Sequence, residues 1–241
     1  MNELIDKLLP FEHNLFLALN GSDSVFWDNA MWTFTGLITW IPMAFFVLYI
    51  IFKNQYFKEG LLVLSSIIFV FILASFASGF LFKPLFERYR PTHHPIYKDL
   101  VAIVNDFKGG DYGFISGHAT NSFAAAFLLS LVFRNQFTTF SLMLWATLNS
   151  YSRIYLGVHF ISDIVAGFII GALIGYSVYA IYKKIRQYYF KIPYSKTNLS
   201  IYTTSQGNIL GLFIISYTAL VILLSPLFSS LSYLLLPDGW F

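Results

Sequence analysis

The chain has no cysteine among its 241 residues. Disulfides, thiolate nucleophiles and cysteine-ligated metals are excluded with it. Charge is scarce as well. Asp, Glu, Lys and Arg make up 11% of the residues, against roughly 25% in a soluble domain. That shortage excludes a disordered chain, a coiled coil and a soluble enzyme of ordinary composition. The net charge of +3 is too small for a nucleic-acid binder, and the sequence carries no basic, aromatic-interleaved patch. What it has in excess is apolar surface: 57% hydrophobic residues and a mean hydropathy of +0.65. Such an excess points to a multispanning membrane protein. Met1–Pro10 carries Glu3 and Asp6 and lacks a long apolar core, so a cleavable signal peptide is not expected.

A membrane span needs about 20 apolar residues at a rise of about 1.5 Å each. Six stretches read as spans: Trp32–Phe52, Leu61–Phe82, Ala119–Phe133, Phe137–Tyr151, Ile161–Tyr182 and Ile209–Phe228. The third and fourth are short. In the fifth, Gly167, Gly171 and Gly175 recur every four residues and line one face, where another helix can approach closely. Before the spans, Leu4, Leu8, Phe11, Leu15 and Leu19 recur at helical spacing, interrupted by Pro10. Leu4–Asn20 therefore reads as an amphipathic helix lying in the interface. A short cap packed on the bundle is the alternative. The expected fold is all-α, an integral membrane six-helix bundle with an N-terminal amphipathic interfacial helix, forming a single domain over residues 1–241.

Loop charges orient this arrangement. Connections near Lys53–Gly60, Arg134–Gln136 and Lys183–Asn208 carry eight cations and one anion; the remainder of the chain carries seven cations and eleven anions. The positive-inside rule puts the first set in the cytoplasm. The termini and the long Lys83–His118 connection then face outward.

Polar residues beside spans are functional candidates by default. They gather in three places on the outward side. Lys83–Arg90, followed by Pro91, holds three cations in eight residues. Snorkelling anchors would explain them, but the positive-inside rule disfavours cations here. Ser116-Gly117-His118 opens an apolar helix, where a hydroxyl and backbone N–H groups can face an anion. A plain capping turn explains the pair equally well. Ser152-Arg153 is followed by His159 and Asp163, spaced i, i+4, so that the carboxylate can hold the imidazole in one tautomer. An N-terminal salt bridge is the alternative there. Together, two histidines, two arginines, a lysine and a Ser-Gly turn suit a doubly charged phosphate.

These residues resemble the type 2 phosphatidic acid phosphatases, the PAP2 superfamily of membrane lipid phosphatases. Lys83, Arg90 and Pro91 fit the first motif, and Ser116-Gly117-His118 the second, with Ile115 in place of its proline. Ser152, Arg153, His159 and Asp163 match the third, giving a motif core over residues 83–163. The resemblance implies a metal-independent phosphatase with no cofactor. In it His159 attacks phosphorus, Asp163 orients the ring and His118 protonates the leaving oxygen. Lys83, Arg90, Ser116, Gly117 and Arg153 bind the phosphoryl oxygens. His93, His94, Lys98 and Lys108 follow the first motif and are offered as head-group contacts; the two lysines suit a second phosphate, or else solvent. The implied partner is a phosphorylated membrane lipid, with no nucleic acid and no obligate protein partner, at the outer face of a bacterial inner membrane. Lipid A phosphate, undecaprenyl pyrophosphate, phosphatidylglycerol phosphate and phosphatidic acid are all admitted. A lipid phosphotransferase, a non-catalytic phosphate-lipid-binding protein and a haloperoxidase-like site are the competing readings. The haloperoxidases look soluble, as this chain does not.

Overall fold

The computed structural model describes residues 6–193, 196 and 199–228. Helix α1, Leu9–Leu19, takes Pro10 into its first turn, where a missing N–H has no intrahelical partner to lose. Pro10 thus starts the helix rather than interrupting it. Leu9 and Phe16 pack against Val101, Ile154 and Phe160, while Phe11 and Leu15 stay exposed. Leu4, part of the expected stripe, lies outside the described residues.

The apolar run Trp32–Phe52 is continuous in sequence but broken in space. Helix α2, Val25–Thr35, ends at Gly36, and α3, Ile41–Phe52, begins with Pro42 in its first turn. A short 3-10 turn, Ile38–Trp40, joins them, and the two arms are bent by 72°. Helix α4, Phe57–Ser75, continues through a π-helical segment, Phe76–Phe82, into the turn Lys83–Phe86. The widening has a local cause. Pro84 has no N–H to give to the Phe80 carbonyl, and its ring crowds the preceding turn.

Among the described residues four longer helices follow: α5, Gly117–Phe133; α6, Gln136–Tyr155; α7, Ile161–Tyr189; and α8, Thr204–Leu223. Helix α5 is the hub, with α4, α6 and α7 packed around it. Its Ala124, Leu128 and Val132 join Val70, Val178 and Leu210 in one core. The glycine stripe of α7 lets its backbone approach α5 closely. A Cβ on Gly171 would stand 2.7 Å from the Thr120 carbonyl oxygen, and one on Gly175 2.6 Å from that of Ala124. The outer faces of α4 and α7 stay apolar, with Ile68, Phe69 and Ile72 exposed on one and Val165, Ile169 and Leu173 on the other. Such faces suit lipid contact.

Among the described residues, three helices are long and apolar enough to cross a membrane: Phe57–Phe86, Ile161–Tyr189 and Thr204–Leu223. Counting the bent pair Val25–Thr35 and Ile38–Phe52 as one span gives four. No strand occurs among the described residues; the connection from Glu87 to Ile115 is pinned by one antiparallel bridge, Tyr89 to Tyr112. Around it the Arg90 N–H donates to the Asp111 carbonyl (3.0 Å) and the Gly113 N–H to the Arg88 carbonyl (2.9 Å).

Candidate active site

Four helix ends meet at one end of the bundle. The rod that begins as α4 delivers Lys83; α5 starts at Ser116 and Gly117; α6 ends with Arg153; and α7 starts just after His159. Gly157 turns the chain between the last two. Its φ is +71°, and a Cβ there would stand 2.4 Å from Val101 and 2.9 Å from the Ala102 carbonyl oxygen. Only glycine fits both demands. Asn20 secures the same turn: its amide donates to the carbonyls of Tyr155 (2.9 Å), Ile154 (3.3 Å) and Ala102 (3.1 Å), and its Oδ1 accepts from the Ala102 N–H (2.8 Å).

His159 is buried beside Asp163, with Nδ1 at 3.3 Å from Asp163 Oδ2. The same Oδ2 accepts from the Phe160 N–H at 3.0 Å, so Asp163 caps the helix that carries it. His159 Nε2 lies 3.2 Å from an Arg90 terminal nitrogen, which also donates to the Val158 carbonyl at 3.0 Å. Burial first, then the charges of Arg90, Arg153 and Lys83, hold the His159 pKa well below the ordinary histidine value. Both effects favour the neutral ring, whose Nε2 faces the Arg90 guanidinium. Gly113 closes the floor: a Cβ there would stand 3.1 Å from Asp163 Oδ2 and 3.5 Å from His159 Nδ1.

Arg153 donates to the Thr35 hydroxyl (2.5 Å) and stacks over the Phe107 ring (5.6 Å to the centroid). His118 Nε2 approaches the Thr35 carbonyl at 3.4 Å, so the end of α2 seats both groups. Ser116 is fully buried; its hydroxyl accepts from the Ala119 N–H at 3.4 Å and its N–H donates to the Asp163 carbonyl at 3.2 Å. Gly117, opening α5, carries a first-turn N–H with no intrahelical acceptor. Arg90 Nε and Arg153 Nε are buried donors with no hydrogen-bond partner among the described residues.

Two cavities flank this cluster. One, of about 400 Å³, is lined by Lys83, Glu87, Arg90, Gly110, Asp111 and Tyr112 among others. The other, of about 530 Å³, runs from His118 past Thr35, Trp40, Phe71, Trp145 and Asn149. None of the four residues offered as head-group contacts lines either. His94 is buried against Tyr97 and Phe160 and accepts from the Ile96 N–H (3.2 Å); burial, then the Arg88 charge opposing that of Asp6, lowers its pKa. His93 sits beside Thr92 (3.1 Å) with Nε2 3.9 Å from Asp111. Lys98 and Lys108 are exposed.

A family model for the PAP2 superfamily matches residues 60–187, more than half of the chain. The chain belongs to the PAP2 superfamily. It is a phosphatase and a multi-pass membrane protein. It is 39% identical over 178 residues to a lipid A 4'-phosphatase of Porphyromonas gingivalis, covering 74% of this chain and 75% of that one. A lipid A 4'-phosphatase of Bacteroides thetaiotaomicron is 41% identical over 184 residues, covering 76% and 81%. Two crystal structures share the PAP2 fold. Aquifex aeolicus LpxE superposes with a TM-score of 0.53 at 24% identity, over 70% of this chain and 94% of that one. A transmembrane PAP2-type phosphatidylglycerolphosphate phosphatase from Bacillus subtilis gives 0.55 at 22%, over 76% and 90%.

The motif spacing missed four residues that the structure puts at the cluster: Thr35, Arg88, Gly113 and Glu12. One left a trace in the sequence: Arg88 is one of the three cations of the Lys83–Arg90 group. Thr35, Gly113 and Glu12 left none.

Proposed function

We propose that this membrane lipid phosphatase cleaves a phosphate monoester from a lipid head group, through a phosphohistidine on His159 and without a metal. The observation that carries this reading is the pair of unpartnered buried donors, Arg90 Nε and Arg153 Nε, on guanidinium groups whose charges both act on a neutral His159. Buried donors without acceptors are costly, and phosphoryl oxygens would satisfy them. With Lys83, Ser116 and the Gly117 N–H, the three cations would neutralise the transferring group, which is most of what phosphoryl transfer requires.

In this mechanism Asp163 holds Nδ1–H, so the Nε2 lone pair attacks phosphorus in line. The P–O bond to the lipid breaks as the N–P bond forms, and His118 gives a proton to the leaving oxygen. Water then attacks the phosphohistidine, His118 takes a proton from it, and phosphate leaves with Nε2 free again. The cavity beside His118 is where the leaving lipid would lie. Glu87 and Asp111 stand at the other cavity with Lys83 and Arg90, while Lys98 and Lys108 are outside it. A second phosphate there would meet carboxylates, which favours a monoester over a pyrophosphate. Lipid A is the substrate that the two bacterial relatives suggest.

The reading places one catalytic unit over residues 1–241, with six crossings: the bent α2–α3 pair, α4, α5, α6, α7 and α8. Helix α1 rests in the interface. The loop-charge bias puts the site at the periplasmic face of a bacterial inner membrane. The test is phosphate release by purified protein in EDTA. The panel is lipid A, undecaprenyl pyrophosphate, phosphatidylglycerol phosphate and phosphatidic acid, each beside His159→Ala. EDTA-resistant release from lipid A, absent in the variant, is expected. Full activity in His159→Ala would overturn the nucleophile, and release only with added metal would overturn the metal-free mechanism.

A further inference from the structure

Arg88 belongs to no motif, yet it is among the most buried side chains of the molecule, 1% exposed. Its Nε–H donates to Asp6 (3.1 Å) and one terminal nitrogen to Glu12 Oε1 (3.1 Å). The other terminal nitrogen donates to Asp163 Oδ1 (2.6 Å) and to the Ser162 hydroxyl (2.6 Å). Its guanidinium lies over the Phe160 ring, 4.6 Å from the centroid. Burial alone would lower its pKa, but Asp163 and Glu12 outweigh that and raise it. Glu12 also reaches the start of α7: Oε2 accepts from the Ser162 N–H and Oε1 from the Ser162 hydroxyl, both at 2.7 Å.

We infer that Arg88 and Glu12 are positioning residues for the phosphoryl-transfer histidine: they clamp Asp163 Oδ1 so that Oδ2 stays on His159 Nδ1, which makes helix α1 part of the active site. This rests on the reading of His159 as nucleophile. The argument is geometric. A carboxylate with one oxygen engaged by a fixed guanidinium cannot rotate, and a guanidinium with all three nitrogens engaged cannot shift. Arg90 and Lys83 also act on Asp163 with their charge. An unclamped Asp163 can turn toward those cations and lose its hold on the imidazole. Asp6 and Glu12 lie outside residues 60–187, so the clamp is completed by a part of the chain that the family model does not cover.

The experiment compares full-length Arg88→Lys, Glu12→Gln and their double variant with wild type, each purified as a monodisperse species. The readouts are kcat, KM and the rate of phosphoenzyme formation in a single turnover. Arg88→Lys should lower kcat and the phosphoenzyme rate about 10–100-fold, the range for a misplaced reacting group, and Glu12→Gln about 3–10-fold. KM should stay within about two-fold, because Lys83, Arg90 and Arg153 are untouched. The double variant should be no slower than Arg88→Lys alone, since both act through one link. Should Arg88→Lys not fold, Glu12→Gln, which keeps shape and one acceptor, decides. Wild-type kcat in the folded variants, a loss confined to KM, or additive losses would overturn the clamp. His159→Ala runs in parallel. If it is inactive while the clamp variants are normal, only the clamp fails; if it is active, the phosphohistidine reading fails as well.

Discussion

Gly171→Ala tests whether the crossing of α5 and α7 sets the geometry of the site. The added Cβ would stand 2.7 Å from the Thr120 carbonyl oxygen, 3.1 Å from the Ala124 nitrogen and 3.2 Å from the Phe123 Cβ. Two of these are backbone atoms, which cannot turn aside. Restoring an ordinary 3.4 Å contact would part the helices by about 0.7 Å. Overpacking of this kind costs about 1–3 kcal/mol, offset by at most about 1 kcal/mol from the better helix propensity of alanine. The expected net loss of up to about 3 kcal/mol lowers Tm by up to roughly 12 °C in a chain of this size. Asp163 rides on α7, Ser116 and His118 on α5, and the Ser116 N–H joins the two at the Asp163 carbonyl. A displacement approaching 1 Å should therefore lower kcat about ten-fold or more. Thermal unfolding followed by tryptophan fluorescence in detergent, with phosphate release on the same samples, measures both. Gly79→Ala is the control for stability: its Cβ would meet nothing within 4 Å, so Tm should hold or rise. Wild-type Tm and kcat in Gly171→Ala would refute the claim that this crossing has no slack.

Acid should weaken the fold partly through His159. Its folded pKa lies well below 6.5, so below that pH the unfolded chain binds a proton that the folded chain refuses. Stability is fully present above about pH 6.5 and falls as pH drops, by up to about 1.4 kcal/mol per unit; Tm against pH should fall less steeply in His159→Gln, and equal slopes would contradict this. Thr35→Val removes the hydroxyl that accepts from Arg153, a bond to a charged group worth about 1.5–3 kcal/mol. We expect kcat/KM to fall correspondingly and Thr35→Ser to retain it; an active valine variant would show that Arg153 needs no seat. Asn20→Ala removes the partner of the Ala102 carbonyl and N–H, while the Tyr155 and Ile154 carbonyls keep the Gly21 and Gly157 N–H groups, and should lower stability by about 1–3 kcal/mol, read as a Tm shift; an unchanged Tm would mean that water replaces the amide.

Much of this molecule is local in origin and was readable one stretch at a time. The apolar excess, the long fifth span and the glycines at 167, 171 and 175 follow from composition and a period of four. The three motifs are visible because each sits within a dozen residues of chain, at the end of a helix that its own pattern predicts. What the sequence could not give is where separate ends meet. The run Trp32–Phe52 reads as one span because hydropathy carries no angle; Gly36 and Pro42 bend it by 72° and so bring Thr35 under Arg153. His94 looks like a polar neighbour of the first motif, yet the fold buries it against Phe160. Glu12 is one polar residue of an amphipathic stretch until Arg88, 76 positions away, closes on it. Spacing rules reach about one turn of helix, whereas a buried guanidinium takes whatever carboxylates the packed chain brings to it. The motifs were therefore legible in the sequence, and the partners that hold them in place were decided by tertiary closure alone.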